Sequence, residues 1–186
     1  AISSNLQGAA TLIGDTPSML LGTEAGINFV EFFWLQGKPG IFFAVQQASY
    51  RLMTEEEYRR FGVAFDRPVL DALPASAWLN VLHLHGSEVM FDLFAGYPVQ
   101  AINWHDRETE PSLAQGLQRT ERALVGGIRQ WETMVRGEPA DVRAEVADAL
   151  SQTAGRRLII GTGCVTPIVA PWSNIWAARQ AVDNSG

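Results

Sequence analysis

Two histidines one residue apart close an apolar run, WLNVLHLHG at 78–86. In an extended strand His83 and His85 project to the same side. Two ligands of one metal ion need that spacing, and two core histidines bonded to backbone carbonyls also satisfy it. Zinc sites take at least three protein ligands, and Cys164, the sole cysteine of the chain, is the available third. The alternative for a lone cysteine after a strand is a small buried apolar side chain. The remaining histidine, His105, stands with Asp106 after a second apolar run, VQAINW at 99–104. These two offer acid–base chemistry at a strand end, or else a helix cap or a solvated pair. Trp104 could wall a pocket for a flat ligand, while Trp34, Trp78, Trp131, Trp172 and Trp176 read as packing. Gly126-Gly127 follows a third run, where two missing side chains let a ligand approach the backbone. Gly161-Thr162-Gly163-Cys164 runs on into Val165-Thr166-Pro167, unlike a phosphate-binding loop that opens a capped helix.

These groups meet only if the chain alternates strands with helices. Thr16 as N-cap and Pro17 in the first turn predict a helix over 16–35, with Leu20, Leu21, Ile27, Val30, Phe33 and Trp34 as its apolar surface. Residues 40–45 read as a buried strand. Thr54 and Glu57 form a capping box, followed by Tyr58, Phe61, Phe65 and Val69 at near-helical spacing, with Pro68 expected to kink or break the helix. Further strands are expected at 78–83, 99–104, 123–125 and 158–161. Helices are expected at 88–95 before Gly96, around 112–118, from Pro139 to a stop at Gly155, and from an N-cap at Ser173 to 182. The charged stretch EEEYRR at 55–60 reads as the solvated face of its helix. Five strands alternating with helices imply parallel βαβ units in one domain, 1–186. An eight-unit barrel needs about 200 residues or more, so the sheet is either open or part of a barrel. Ligands in either fold bind at the carboxyl ends of the strands. His83, His85, His105, Asp106, Gly126, Gly127 and Cys164 all fall on that face.

The composition, 47% hydrophobic and 18% charged over 186 residues, is that of a globular domain. A formal net charge of −6 gives no general attraction to nucleic acid or anionic membranes, so neither is an expected partner. One cysteine excludes an intrachain disulfide and suits a cytoplasmic location. No apolar run approaches a membrane span, and the opening residues lack the basic and apolar regions of a signal peptide. The chain begins at Ala1 without an initiator Met, as expected of a cut or truncated polypeptide.

Five motifs in order, TEEEYRRF at 54–61, HLHG at 83–86, INWHD at 102–106, LVGGI at 124–128 and IIGTGCVTPIVAPWSNI at 159–175, together resemble the C-terminal part of the uroporphyrinogen decarboxylase family, from about Gly40 onward. The resemblance implies a (β/α) barrel of eight units, of which this chain carries the last five or so. It implies cofactor-free decarboxylation of tetrapyrrole acetate side chains: a pyrrole ring is protonated, carbon dioxide leaves, and a carboxylate stabilises the cationic ring. His85, His105 and Cys164 would then be catalytic, and Asn103, Trp104, Asp106, Gly126 and Gly127 would contact substrate. The family's arginines and aspartate for this chemistry lie N-terminal to the matched part, so the chain alone is expected to be inactive. Two positions depart from the decarboxylases: Cys164 stands where they carry a histidine, and Asn103 where they tend to carry aspartate. The family's other branch, the corrinoid-dependent methyltransferases acting on coenzyme M, carries His-x-Cys and a late Gly-Cys as zinc ligands. His83, His85 and Cys164 resemble that set with one ligand exchanged, which implies zinc, a thiol substrate and a corrinoid protein partner. A third expectation is a non-catalytic member or half-barrel whose exposed strand edges pair in a homodimer.

Overall fold

The computed structural model describes residues 34–35 and 38–183. The helix expected at 16–35 falls outside these as far as residue 33, and its last two residues are strand. β1 (Trp34–Leu35) runs antiparallel to β2 (Lys38–Val45), with Leu35 opposite Lys38. Five parallel strands follow in sequence order: β2, β3 (Leu79–Leu84), β4 (Ala101–Asn103), β5 (Ala123–Ile128) and β6 (Leu158–Thr162). Helices alternate with them: α1 (Glu55–Tyr58) and α2 (Ala64–Asp71) after β2, α3 (Phe91–Phe94), α4 (Leu113–Arg119), α5 (Pro139–Thr153) and α6 (Trp172–Asp183). This is a segment of a (β/α) barrel. No described helix is long and apolar enough to cross a membrane.

Several boundaries differ from the sequence reading, each for a local reason. The Thr54–Glu57 capping box opens α1, but α1 gives way at once to a π turn, Arg59–Val63. That turn rotates the apolar stripe. Tyr58 is buried whereas Phe61, Phe65 and Val69 are exposed. Gly62 makes room for it, since a Cβ there would lie 2.4 Å from the Tyr58 ring. Pro68 does not break the helix; α2 runs through it to Asp71. The helix expected at 88–95 shortens to Phe91–Phe94 because Glu88 adopts a positive φ of 50° and Val89 bridges to Ser49. β5 continues through Gly126-Gly127 rather than ending before them. α6 starts at Trp172 instead of at an N-cap on Ser173, because the Pro171 carbonyl already accepts from Asn174 and Ile175.

The sheet has two distinct faces. Leu82, Leu84, Ile102, Trp104 and Leu124 join the helices in the larger core. The opposite face carries Val81, Ala101 and Val125, with Phe42, Leu79, Ala123 and Ile159 packed on them. Alternation along the strands then dictates what stands above this apolar floor. In the register, His83 is opposite Asn103, and Asn103 is opposite Val125. The imidazole of His83 therefore rises from the inner face next to the amide of Asn103.

Candidate metal centre

His83 is 4% exposed and sits within β3. His85 follows one residue beyond that strand, where its backbone N–H extends the ladder to Val45 at 3.0 Å. His105 lies two residues past β4, on the side of the strand that carries Asn103. Cys164 leaves β6 by a turn in which the Thr162 hydroxyl donates to the Cys164 carbonyl. Three strand ends thus bring four side chains together. The ligand atoms of His83, His85, His105 and Cys164 all lie within 4.8 Å of one another. Cys164 Sγ is 3.6 Å from His83 Nε2 and 3.9 Å from His85 Nδ1. Around a tetrahedral zinc ion, bonds of about 2.0–2.3 Å set donors about 3.3–3.8 Å apart, close to these separations.

The environment prepares the histidines as neutral donors. Asn103 is 1% exposed. Its amide nitrogen donates to the Val125 carbonyl at 2.8 Å and the Thr162 carbonyl at 3.1 Å. Its oxygen therefore faces His83 Nδ1 at 2.6 Å and accepts from it, leaving the Nε2 lone pair directed at Cys164. Outer hydrogen bonds of this kind fix the tautomer of metal-binding imidazoles. Asn103 is thus committed to the protein. Replacing it with alanine should lower the affinity of the cluster for any metal ion it holds about 10–100-fold, as measured by chelator competition. His105 Nε2 is buried with no hydrogen-bond partner, whereas its Nδ1 is 3.5 Å from the Glu108 carboxylate. A buried donor or acceptor without a partner is costly, and a metal ion would relieve this one.

Burial holds His83 down to about 3 and also lowers His105, while it pushes Asp106 up to about 6. Below about pH 6.5 the unfolded chain takes up histidine protons that the folded chain refuses, so these imidazoles lower stability as pH falls. Asp106 acts in the opposite sense, because the folded state holds its proton in a window between about 6 and 3.8. His83 spans the wider interval. The metal-free chain should therefore lose stability from about pH 6.5 downward, with partial relief below about 6. Urea midpoints across this range test it, and a rising midpoint on acidification would contradict it.

Asp106 and the two glycines form one unit. The carboxylate accepts from the Gly127 N–H at 3.1 and 3.2 Å, and it fills the space where a Cβ on Gly126 would lie, 2.2 Å from Oδ1. The gap beside Gly126 that the sequence offered to a ligand is occupied by this side chain. Gly127 has a φ of +108°, which a side chain would strain. Trp104 is fully buried on the helix side of the sheet, donating from Nε1 to the Pro111 carbonyl at 2.8 Å and packing on Phe91, so it walls no pocket. The sequence reading put His105 on the same face as His83, His85 and Cys164 but left it out of the ligand set, and the structure brings its ring nitrogen within 4.8 Å of their donor atoms. Arg107, 13% exposed, donates to the carbonyls of Gly127 and Glu145 at 2.8 and 2.7 Å and pairs with Asp148, a role that spacing alone does not signal.

Comparisons with known proteins place this architecture. The sequence profile described as "Uroporphyrinogen decarboxylase (URO-D)" matches residues 20–185. A solved methyltransferase from Methanosarcina mazei is similar in structure, with a TM-score of 0.68 at 20% identity. The match covers 91% of this chain and 47% of the methyltransferase, so the chain spans about half the length of that protein. No curated protein sequence matches.

Proposed function

The chain belongs to the uroporphyrinogen decarboxylase family, and on that premise we propose that it carries the metal-binding half of a zinc-dependent thiol methyltransferase. The observation that carries the reading is the convergence of His83, His85, His105 and Cys164 within 4.8 Å, with the His83 tautomer fixed from behind by Asn103. Histidine nitrogens and one thiolate are borderline donors suited to zinc. Bound zinc would lower the pKa of a substrate thiol and present the thiolate as a nucleophile to a methyl donor. The residues supply the rest. His83 and Cys164 hold fixed positions from their strand ends, and the apolar floor of Val81, Ala101 and Val125 keeps water from the back of the site. Neutral imidazoles beside a single thiolate leave a divalent ion with residual positive charge, which favours an anionic sulfur as the incoming group.

The arginines that follow β4 and β5 are engaged within the chain, Arg107 on α5 and the Gly127 carbonyl and Arg129 on Glu145, and those that the decarboxylase resemblance calls for lie N-terminal to the matched part. Turnover is expected only when the chain is combined with the remainder of the barrel. Metal analysis of the purified chain after growth with zinc tests the proposal. About one zinc per chain is expected, and a metal-free protein under those conditions would sink it.

A further inference from the structure

We infer that Asp106 is a positioning residue that sets His105 in the donor cluster. The inference rests on the metal reading above. Of the four donors, His83 and His85 project from or directly beyond β3, and Cys164 from the turn that leaves β6. His105, like Cys164, lies two residues past the end of its strand, in the loop between β4 and α4, so contacts outside the strand ladder help to fix it. Asp106, the next residue, does so from the β5 side. Both of its carboxylate oxygens accept from the Gly127 N–H, and its side chain is only 1% exposed. Gly163 closes the β6 side, where a Cβ would lie 2.7 Å from His105 Cα and 3.1 Å from the Trp104 carbonyl. Arg107 ties the same loop outward to α5 through the Glu145 carbonyl. The His105 carbonyl accepts from Glu108 and Thr109 at 2.8 and 2.9 Å, turning the chain so that the imidazole faces inward. Apart from the other donors of the cluster, within 4.8 Å, the polar contact that the described residues give the His105 side chain is the exposed Glu108 carboxylate at 3.5 Å, too long to hold the ring firmly. Its direction is therefore set through the backbone, and Asp106 is the buried anchor of that backbone.

A double-mutant cycle on zinc affinity tests this, using the full chain, zinc alone and chelator competition. Asp106→Ala should weaken zinc binding about 10–100-fold in the wild-type background. In a His105→Ala background the same change should cost no more than about twofold, since the residue it acts through is gone. Equal losses in both backgrounds would assign Asp106 a merely structural role and overturn the inference, as would no loss in the first. If Asp106→Ala does not fold, Asp106→Asn retains an acceptor for Gly127. It should then show a smaller loss, again confined to chains that carry His105. A visible spectrum with cobalt in place of zinc gives a second readout, because Asp106→Asn should shift the bands towards those of His105→Ala. A wild-type chain that binds no zinc defeats the metal reading and this role with it. Zinc binding that is indifferent to Asp106 defeats the positioning role alone.

Discussion

Replacing His83 with alanine should lower zinc affinity by more than about a hundredfold, beyond the 10–100-fold range of losses typical of outer-shell residues. His83 is the donor with the least freedom. Its ring stacks at 5.9 Å on Phe42, its Nδ1 is bound to Asn103, and its Nε2 faces Cys164 at 3.6 Å. Val81 and Ala101 below it are apolar and fixed by the sheet, so neither can replace it as a donor. The substitution also leaves the buried Asn103 oxygen without its partner, so the metal-free variant should be less stable by about 1–3 kcal/mol. The two effects separate experimentally: chelator competition reads the affinity, and urea unfolding with chelator present reads the stability. Wild-type affinity in His83→Ala would remove this residue from the ligand set.

Gly126→Ala should be the most destabilising methyl addition in the sheet. The new Cβ would fall 2.2 Å from Asp106 Oδ1 and 2.9 Å from its Cγ, distances that only displacement can relieve. Asp106 cannot step aside within the core without losing its bonds to Gly127 and its position beside Arg107 at 3.8 Å. Leaving a buried charged group without its partners costs about 3–5 kcal/mol. Gly96→Ala is the control, since nothing lies within 4 Å of its Cβ position, and it should change stability by less than about 1 kcal/mol. A urea midpoint for Gly126→Ala that matches the control would mean that Asp106 relocates freely.

The sequence displayed the fold through features that depend on short range. Apolar runs ending in polar strand termini located β3 to β6 to within a few residues, because a strand buried on both faces must be apolar along its length. Alternation placed His83 and His85 on one side. The boundaries that moved did so for tertiary reasons. Glu88 is held by the Ser49–Val89 bridge, and the stripe Phe61, Phe65, Val69 left the core because a π turn formed at Gly62. The family resemblance implied that Asn103 contacts substrate, and in the structure its amide bonds to His83, Val125 and Thr162. That pairing depends on which residue of β3 lies opposite it, and strand register is a long-range property. The same holds for Asp106, whose partner Gly127 is on another strand.

The pairing of His83 with Asn103 across two strands also turns one proton into a gauge of alignment. A slip of β4 by a single residue would carry Asn103 to the far face and bring Ile102 or Trp104 inward. The imidazole would then lose the acceptor that keeps its proton on Nδ1. Nitrogen NMR of this one ring therefore reports whether two strands have found their mates. It could follow the assembly of the sheet during refolding before any metal is added.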